Sequence, residues 1–551
     1  MSLGRARELI EQGDRLFSKR APLLTLWQSI AEQFYPLRAD FTSAHSPGEE
    51  FASHLMIGRP LLVHRELSNA FSSMLRPRGK VWFRARTNND QINEDSVARD
   101  WLDNFSAMMT RAMYDRRAQF VRATKQGDAD FAAFGQTIIS LDPNREKNGL
   151  LYRNWHLRDC VWCENAENRI DVFHRDYKIE ARDYVRLFPN TAAQSVKDCV
   201  SKEPYKEIKC RHIVLPSEDY DLENNKNKER FPFVSLYVDV ENAIVLEEVP
   251  RKRLGYVIPR WVTISGSQYA YSPATIIAIP DARMLQNISL TLLEAGQKAI
   301  DPPLKVTKDV VGAVNTYAGG LTWVDEEYDE RLGPAIEPLI GGRDPGLGWG
   351  DKREEKIEAM LQDMFYLSKL SLPAPEVDGD MTKWEAQQRV EEYIRGALPL
   401  FEPMEVEYNG GLCEETFQQC MDLNLFGPLG DMPRALASQE IRWQFESPLQ
   451  QAFERAKAEA FMQVANLTQI AAGADPSIIH DVNIAKAYRD AVTGSGAPAD
   501  WLNPLEHAEQ AKAHAHKQAM AQQLAATVGA GADVAGKVGA GIAQLQQAGM
   551  V

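Results

Sequence analysis

Two helical stretches separated by a long glycine- and proline-rich excursion constrain this chain more than any other feature. Residues 280–300 read as a helix, with Pro280 suited to its first turn and Asp281 to its positive end. Asp301-Pro302-Pro303 stops it, because a proline disfavours helical backbone at the residue before it and has no N–H to donate. Residues 304–350 are irregular, with short strand signals at Leu304-Lys305-Val306 and Leu321-Thr322-Trp323-Val324. A second helix reads from 351 to about 369. A helix, an irregular excursion and a returning helix predict two packed helices with an insert at their tip.

The rest of the chain divides by pattern. In residues 1–40, Leu9, Ile10, Leu16, Phe17, Leu23, Leu24, Trp27, Ile30, Ala31 and Phe34 recur at helical spacing, and Tyr35-Pro36 ends the run. A helix at 60–75 is followed by a turn, a strand at 81–85 and helices at about 93–116 and 117–134. Residues 136–265 change to short strands, at 138–141, 150–152, 170–174, 208–215, 234–238 and 243–248, with a helix near 180–202. Beyond a proline-bearing acidic loop at 371–380, a long helix is predicted over 381–425, broken at Pro399 or Pro403. Helices follow at 449–472 and 481–493, then an Ala- and Gln-rich helix former at 503–527. The Gly/Ala-rich residues 528–551 fit a loosely packed helix or a flexible tail. The fold class is therefore α+β and predominantly helical.

Composition narrows function by exclusion. The net charge of −15 opposes general nucleic-acid binding, which needs clustered Lys and Arg on phosphates. No apolar run is long enough to span a membrane, and the first residues lack the apolar core of a signal peptide, so a cytoplasmic origin is expected. No phosphate loop, nucleophile elbow or zincin motif is present, so no catalytic residue, cofactor or metal site is assigned. Gly341 to Gly348 is glycine-rich but lacks the lysine of a nucleotide loop and reads as a connection. Cys160 and Cys163 lack a second close pair, which favours core thiols over zinc. His507, His514 and His516 are spaced too poorly to chelate within one helix.

Three stretches together resemble the portal, or head-to-tail connector, proteins of short-tailed bacteriophages. The first is Gly58-Arg59-Pro60-Leu61-Leu62 through Leu67-Ser68-Asn69-Ala70-Phe71-Ser72-Ser73-Met74-Leu75, then Pro77 and Val81-Trp82-Phe83. The second is Tyr271-Ser272-Pro273-Ala274, Pro280-Asp281-Ala282-Arg283-Met284-Leu285-Gln286 and Asp301-Pro302-Pro303-Leu304. The third, Met381-Thr382-Lys383-Trp384-Glu385-Ala386-Gln387-Gln388-Arg389-Val390-Glu391-Glu392, departs from the family's pattern where Lys383-Trp384 replaces smaller residues.

The resemblance implies a portal fold assembled as a ring, twelve copies in the family. Residues 1–279 would form an N-terminal wing (helical over 1–135, mostly β over 136–265), with a further wing helix at 381–445. The stem would be 280–300 and 351–369, the clip 301–350 and the tunnel loop 370–380. The crown would be 446–502, and 503–551 a helical barrel or flexible tail. Channel candidates are then Lys369, Ser371, Leu372, Glu376, Asp378 and Asp380, the loop offering acids and no Lys or Arg, with Lys369 at its border. Clip candidates for docking a motor or adaptor are Trp323, Asp325, Glu326, Arg331 and Arg343. Expected partners are further copies of the chain, the terminase large subunit, the major capsid protein and scaffold, a tail adaptor and double-stranded DNA, within a virion. A virion protein without a channel, or an enzyme with an unrecognised site, are the competing readings.

Overall fold

The computed structural model describes residues 2–46, 48–78, 81–220, 231–317, 319–329, 331, 333–339, 347–370, 403–426, 432–436, 439–445, 461–470 and five positions between 484 and 492. These form two compact units. One comprises Met1–Trp82 with Ser106–Leu429, the other Phe83–Phe105 with Gly430–Val551.

The larger unit is organised by its first helix, Ser2–Phe34. Its N-terminal half lies on a five-stranded antiparallel meander, Cys160–Glu164, Ile170–Glu180, Glu207–Pro216, Phe233–Asp239 and Ile244–Arg251. Alternation along Glu207–Pro216 decides which side chain meets which layer. Ile213 and Leu215 join Ala6, Leu9 and Leu236 beneath the helix. Ile208 and Cys210 face the other way, into a cluster with Tyr184 and Val196 from two short helices and Phe188 from the link between them. The predicted helix near 180–202 is in fact this pair, Ala181–Leu187 and Gln194–Val200. It is interrupted where Pro189-Asn190 breaks the pattern.

Buried arginines fasten the first helix. Arg211, on the helix-facing side of its strand, is 2.5 Å from Asp176, 2.9 Å from Asp14 and 2.8 Å from the Ile10 carbonyl. Among the described residues Arg20 pairs with no carboxylate; it donates to the carbonyls of Leu157, Cys160 and Arg158 at 2.5–2.8 Å. Replacing either would strand buried polar groups, the expensive direction for any hydrogen bond.

The second layer of this unit is helical. Arg59–Leu75 packs on Phe120–Phe134 around a fully buried pair, Arg76 and Asp128. Ser72 donates to the same carboxylate at 2.8 Å, and Arg76 donates to Asn409 at 2.9 Å and lies over the Tyr408 ring. The helix Phe120–Phe134 ends at Gly135, in the left-handed region at φ +74°. A Cβ there would come within 2.1 Å of the Tyr271 backbone, so glycine is required twice over.

In the smaller unit, Phe83–Thr87 pairs antiparallel with Ile441–Phe445. Phe83 meets Trp443 edge to face, Trp101 stacks on Phe105, and Arg86 bonds Asp103 at 2.8 Å. The strand expected at 81–85 thus begins two residues later, and its partner lies far along the chain.

Candidate functional site: a helical hairpin and its tip

The hairpin starts earlier than its sequence suggests. Its first arm is Pro273–Ile300, so Pro280 sits inside the helix rather than in its first turn, and Pro273 takes that position. The reason is a cap: Ser272 precedes Pro273 and its side chain accepts from the Thr275 amide. Ser272 also donates to the Ala132 carbonyl and Thr275 to the Ala133 carbonyl, each at 2.7 Å. Two open carbonyls at the end of the neighbouring helix are thereby satisfied, and the arm is tied to the body.

A second tie is Gln286. Its amide accepts from the Met56 and Ile57 amides at 2.7 and 3.0 Å and donates to the Ile57 carbonyl at 2.9 Å. Gln286 is the last buried residue of the arm. Beyond it Leu290, Leu293 and Ile300 are 38, 56 and 88% exposed. The arm therefore leaves the body about half-way along its length.

The returning arm is Leu347–Met364. Ser289 donates to Glu354 at 2.5 Å, and a Cβ on Gly350 would fall within 2.2 Å of the Leu292 side chain. As one number rises the other falls, so the arms are antiparallel. Ile357, Leu361 and Phe365 are fully buried at the base, Phe365 with its ring 5.2 Å from Phe34. The predicted helix to 369 breaks at Tyr366, which adopts φ +58°, and resumes as Leu367–Leu370. The turn lets Phe365 reach Phe34 while Tyr366 packs on Trp261, and burial raises the Tyr366 pKa.

Between the arms lies a small β structure. Leu304–Val306 pairs with Ile336–Pro338 at its base, and Val310–Val311 pairs with Trp323–Val324 further out. Tyr317, Leu321 and Trp323 are about 70% exposed there. Asp325, Glu326, Glu327 and Asp329 follow Trp323 on the same surface stretch and are exposed, as is Arg331. The tip is thus an aromatic and acidic exposed surface held on two pairs of strands.

The predicted site residues divide accordingly. Trp323, Asp325, Glu326 and Arg331 come together at the tip; Arg343 lies outside the described residues. Lys369 lies within the short helix Leu367–Leu370 after the break, and Ser371, Leu372, Glu376, Asp378 and Asp380 lie outside the described residues. The same holds for residues 381–402 of the helix predicted over 381–425, most of 446–502 and all of 503–551. Cys160 is fully buried and Cys163 half-buried, three positions apart on one strand and so on opposite faces. Burial raises the Cys160 pKa, which keeps its thiol protonated. Among the described residues no cluster of His, Cys, Asp and Glu could hold a metal ion, and no helix is long and apolar enough to cross a membrane.

The anchors Ser272, Thr275, Gln286 and Ser289 carry no functional signature in sequence. Ser272 and Gln286 stand within the stretches that resemble connectors, and the geometry gives them their reason.

A long helical hairpin thus carries a β tip and is rooted in an α+β body. The model of the family described as bacteriophage head to tail connecting protein matches residues 6–502, and the chain belongs to that family. It is thus a portal, or connector, protein located in the virion, with capsid and tail as its neighbours. No curated protein matches the chain.

Proposed function

We propose that this protein forms the ring-shaped DNA channel at one vertex of a short-tailed phage capsid and serves in genome packaging, head–tail joining and genome ejection. The observation that carries this reading is the hairpin: its first arm has no buried residue beyond Gln286, and Leu290, Leu293 and Ile300 are exposed there. An apolar helical surface projecting from a body calls for a covering, and neighbouring copies around an axis supply one.

In this reading Pro273–Ile300 and Leu347–Met364 are the stem and the strand-paired tip is the clip. The body before Pro273, with 381–445, is the wing. Residues 370–380 form the tunnel loop, 446–502 the crown, and 503–551 a barrel or tail. The clip receives the terminase large subunit during packaging and the tail adaptor afterwards; the major capsid protein and scaffold meet the wing. The chain itself is not an enzyme, and the partner ATPase supplies the energy. Double-stranded DNA must slide without sticking. Each neutralised phosphate adds salt-dependent affinity, so a chain of net charge −15 with an acidic loop suits a conduit.

The clip assignment is tested by excision. Replacing residues 308–334 with an Asn-Gly turn keeps Leu304–Val306 paired with Ile336–Pro338. Assembly should persist while binding of the packaging ATPase is lost. Retained ATPase binding would contradict the assignment of the tip.

A further inference from the structure

The returning arm sorts its charges by flank. From Asp351 to Glu358 the sequence is Asp-Lys-Arg-Glu-Glu-Lys-Ile-Glu. Residues three or four apart are neighbours on a helix, and a solvated helix gains from opposite charges at those spacings. Here Asp351/Glu354, Asp351/Glu355, Glu354/Glu358 and Glu355/Glu358 are all acidic pairs, and Lys352/Lys356 and Arg353/Lys356 are both basic. Only Lys352/Glu355 is opposite. The arm therefore carries self-repulsion that it could have avoided.

The placement shows where the repulsion is relieved. With 100° per residue, the buried line runs through Gly350, Ile357 and Leu361. Asp351, Glu355 and Glu358 lie to one side of it, and Lys352 and Lys356 to the other. Arg353 borders the basic side; Asp363 lies on it two turns nearer the body. Glu354 is turned inward to Ser289. Among the described residues, none of Asp351, Lys352, Glu355, Lys356 and Glu358 has an ion-pair partner within the chain; Asp351, Lys352, Glu355 and Lys356 are exposed and Glu358 half-exposed.

We propose that the occupant of each flank is a second copy of this chain: the acidic flank Asp351, Glu355 and Glu358 of one copy faces Lys352 and Lys356 of the next. A closed ring needs two different, mutually complementary surfaces on each subunit, and these flanks, one on either side of the buried line, are such a pair. The contact fixes the direction in which copies succeed one another, because a reversed neighbour would set like charges together. This rests on the ring reading above.

The test uses two full-length variants, E355K/E358K and K352E/K356E, each checked for folding by circular dichroism. Each alone should assemble poorly, with the concentration for half-assembly raised about tenfold or more at low salt. Mixed in equal amounts they should form rings again, alternating and of even copy number, since each mutant flank then meets its opposite. Either variant assembling alone like the unmodified chain would overturn the proposal while leaving the ring reading intact. Failure of the folded variants to rescue each other would overturn it as well. Absence of rings from the unmodified chain would instead remove the ring reading on which it rests.

Discussion

Ser289 and Glu354 meet across the hairpin, the hydroxyl donating to the carboxylate at 2.5 Å. One turn further out on the first arm, Leu292 fills the space that the missing side chain of Gly350 leaves. The two contacts set the register and the closeness of the arms. A side chain at 350 would push the arms apart by bulk, because close-packed helices have no spare volume at their contact line.

Gly350→Val should therefore destabilise the hairpin by about 1–3 kcal/mol, the usual cost of overpacking, despite the gain in helix propensity. Thermal unfolding would report it. Leu292→Ala added to Gly350→Val should recover part of the loss; strict additivity of the two would mean that these residues do not touch.

Gln286→Ala should cost about 2–3 kcal/mol, because it leaves the Met56 and Ile57 amides and the Ile57 carbonyl without their partner. Amide hydrogen exchange at Met56 and Ile57 should accelerate in the variant. Unchanged exchange there would show that the side chain does not hold the loop.

Stability should fall on acidification through a buried histidine. His174 is fully buried, and burial first, then the Arg211 guanidinium, lowers its pKa from 6.5 to about 3. The unfolded chain takes up this proton below pH 6.5 and the folded chain only near pH 3, so stability is full above 6.5 and declines as pH falls through that window. His64 and His212 are lowered too, chiefly by burial, and add to the slope. His174→Phe should remove about one proton from the difference in uptake, measured as a shallower loss of stability between pH 6.5 and 4. An unchanged slope would place the titration elsewhere.

The hairpin was legible in sequence because proline and glycine punctuate it: Asp301-Pro302-Pro303 ends the first arm and the strand signals of the tip fall where strands occur. Its start was not, since Pro280 is a good first-turn residue locally and only the Ser272 cap, tied to Ala132, moves the boundary back to Pro273. The break at Tyr366 was hidden for the same reason, being imposed by Phe34 and Trp261. The pairing of Phe83–Thr87 with Ile441–Phe445 joins distant segments, which local pattern cannot register. The charge sorting at 351–358 was on view throughout and acquires meaning only once the helix and its buried line are known.

Electron microscopy of the purified full-length protein tests the ring directly. Closed rings are expected, with a central hole wide enough for a B-form duplex, about 20 Å or more. Compact monomers or dimers at micromolar concentration, with no ring, would contradict it.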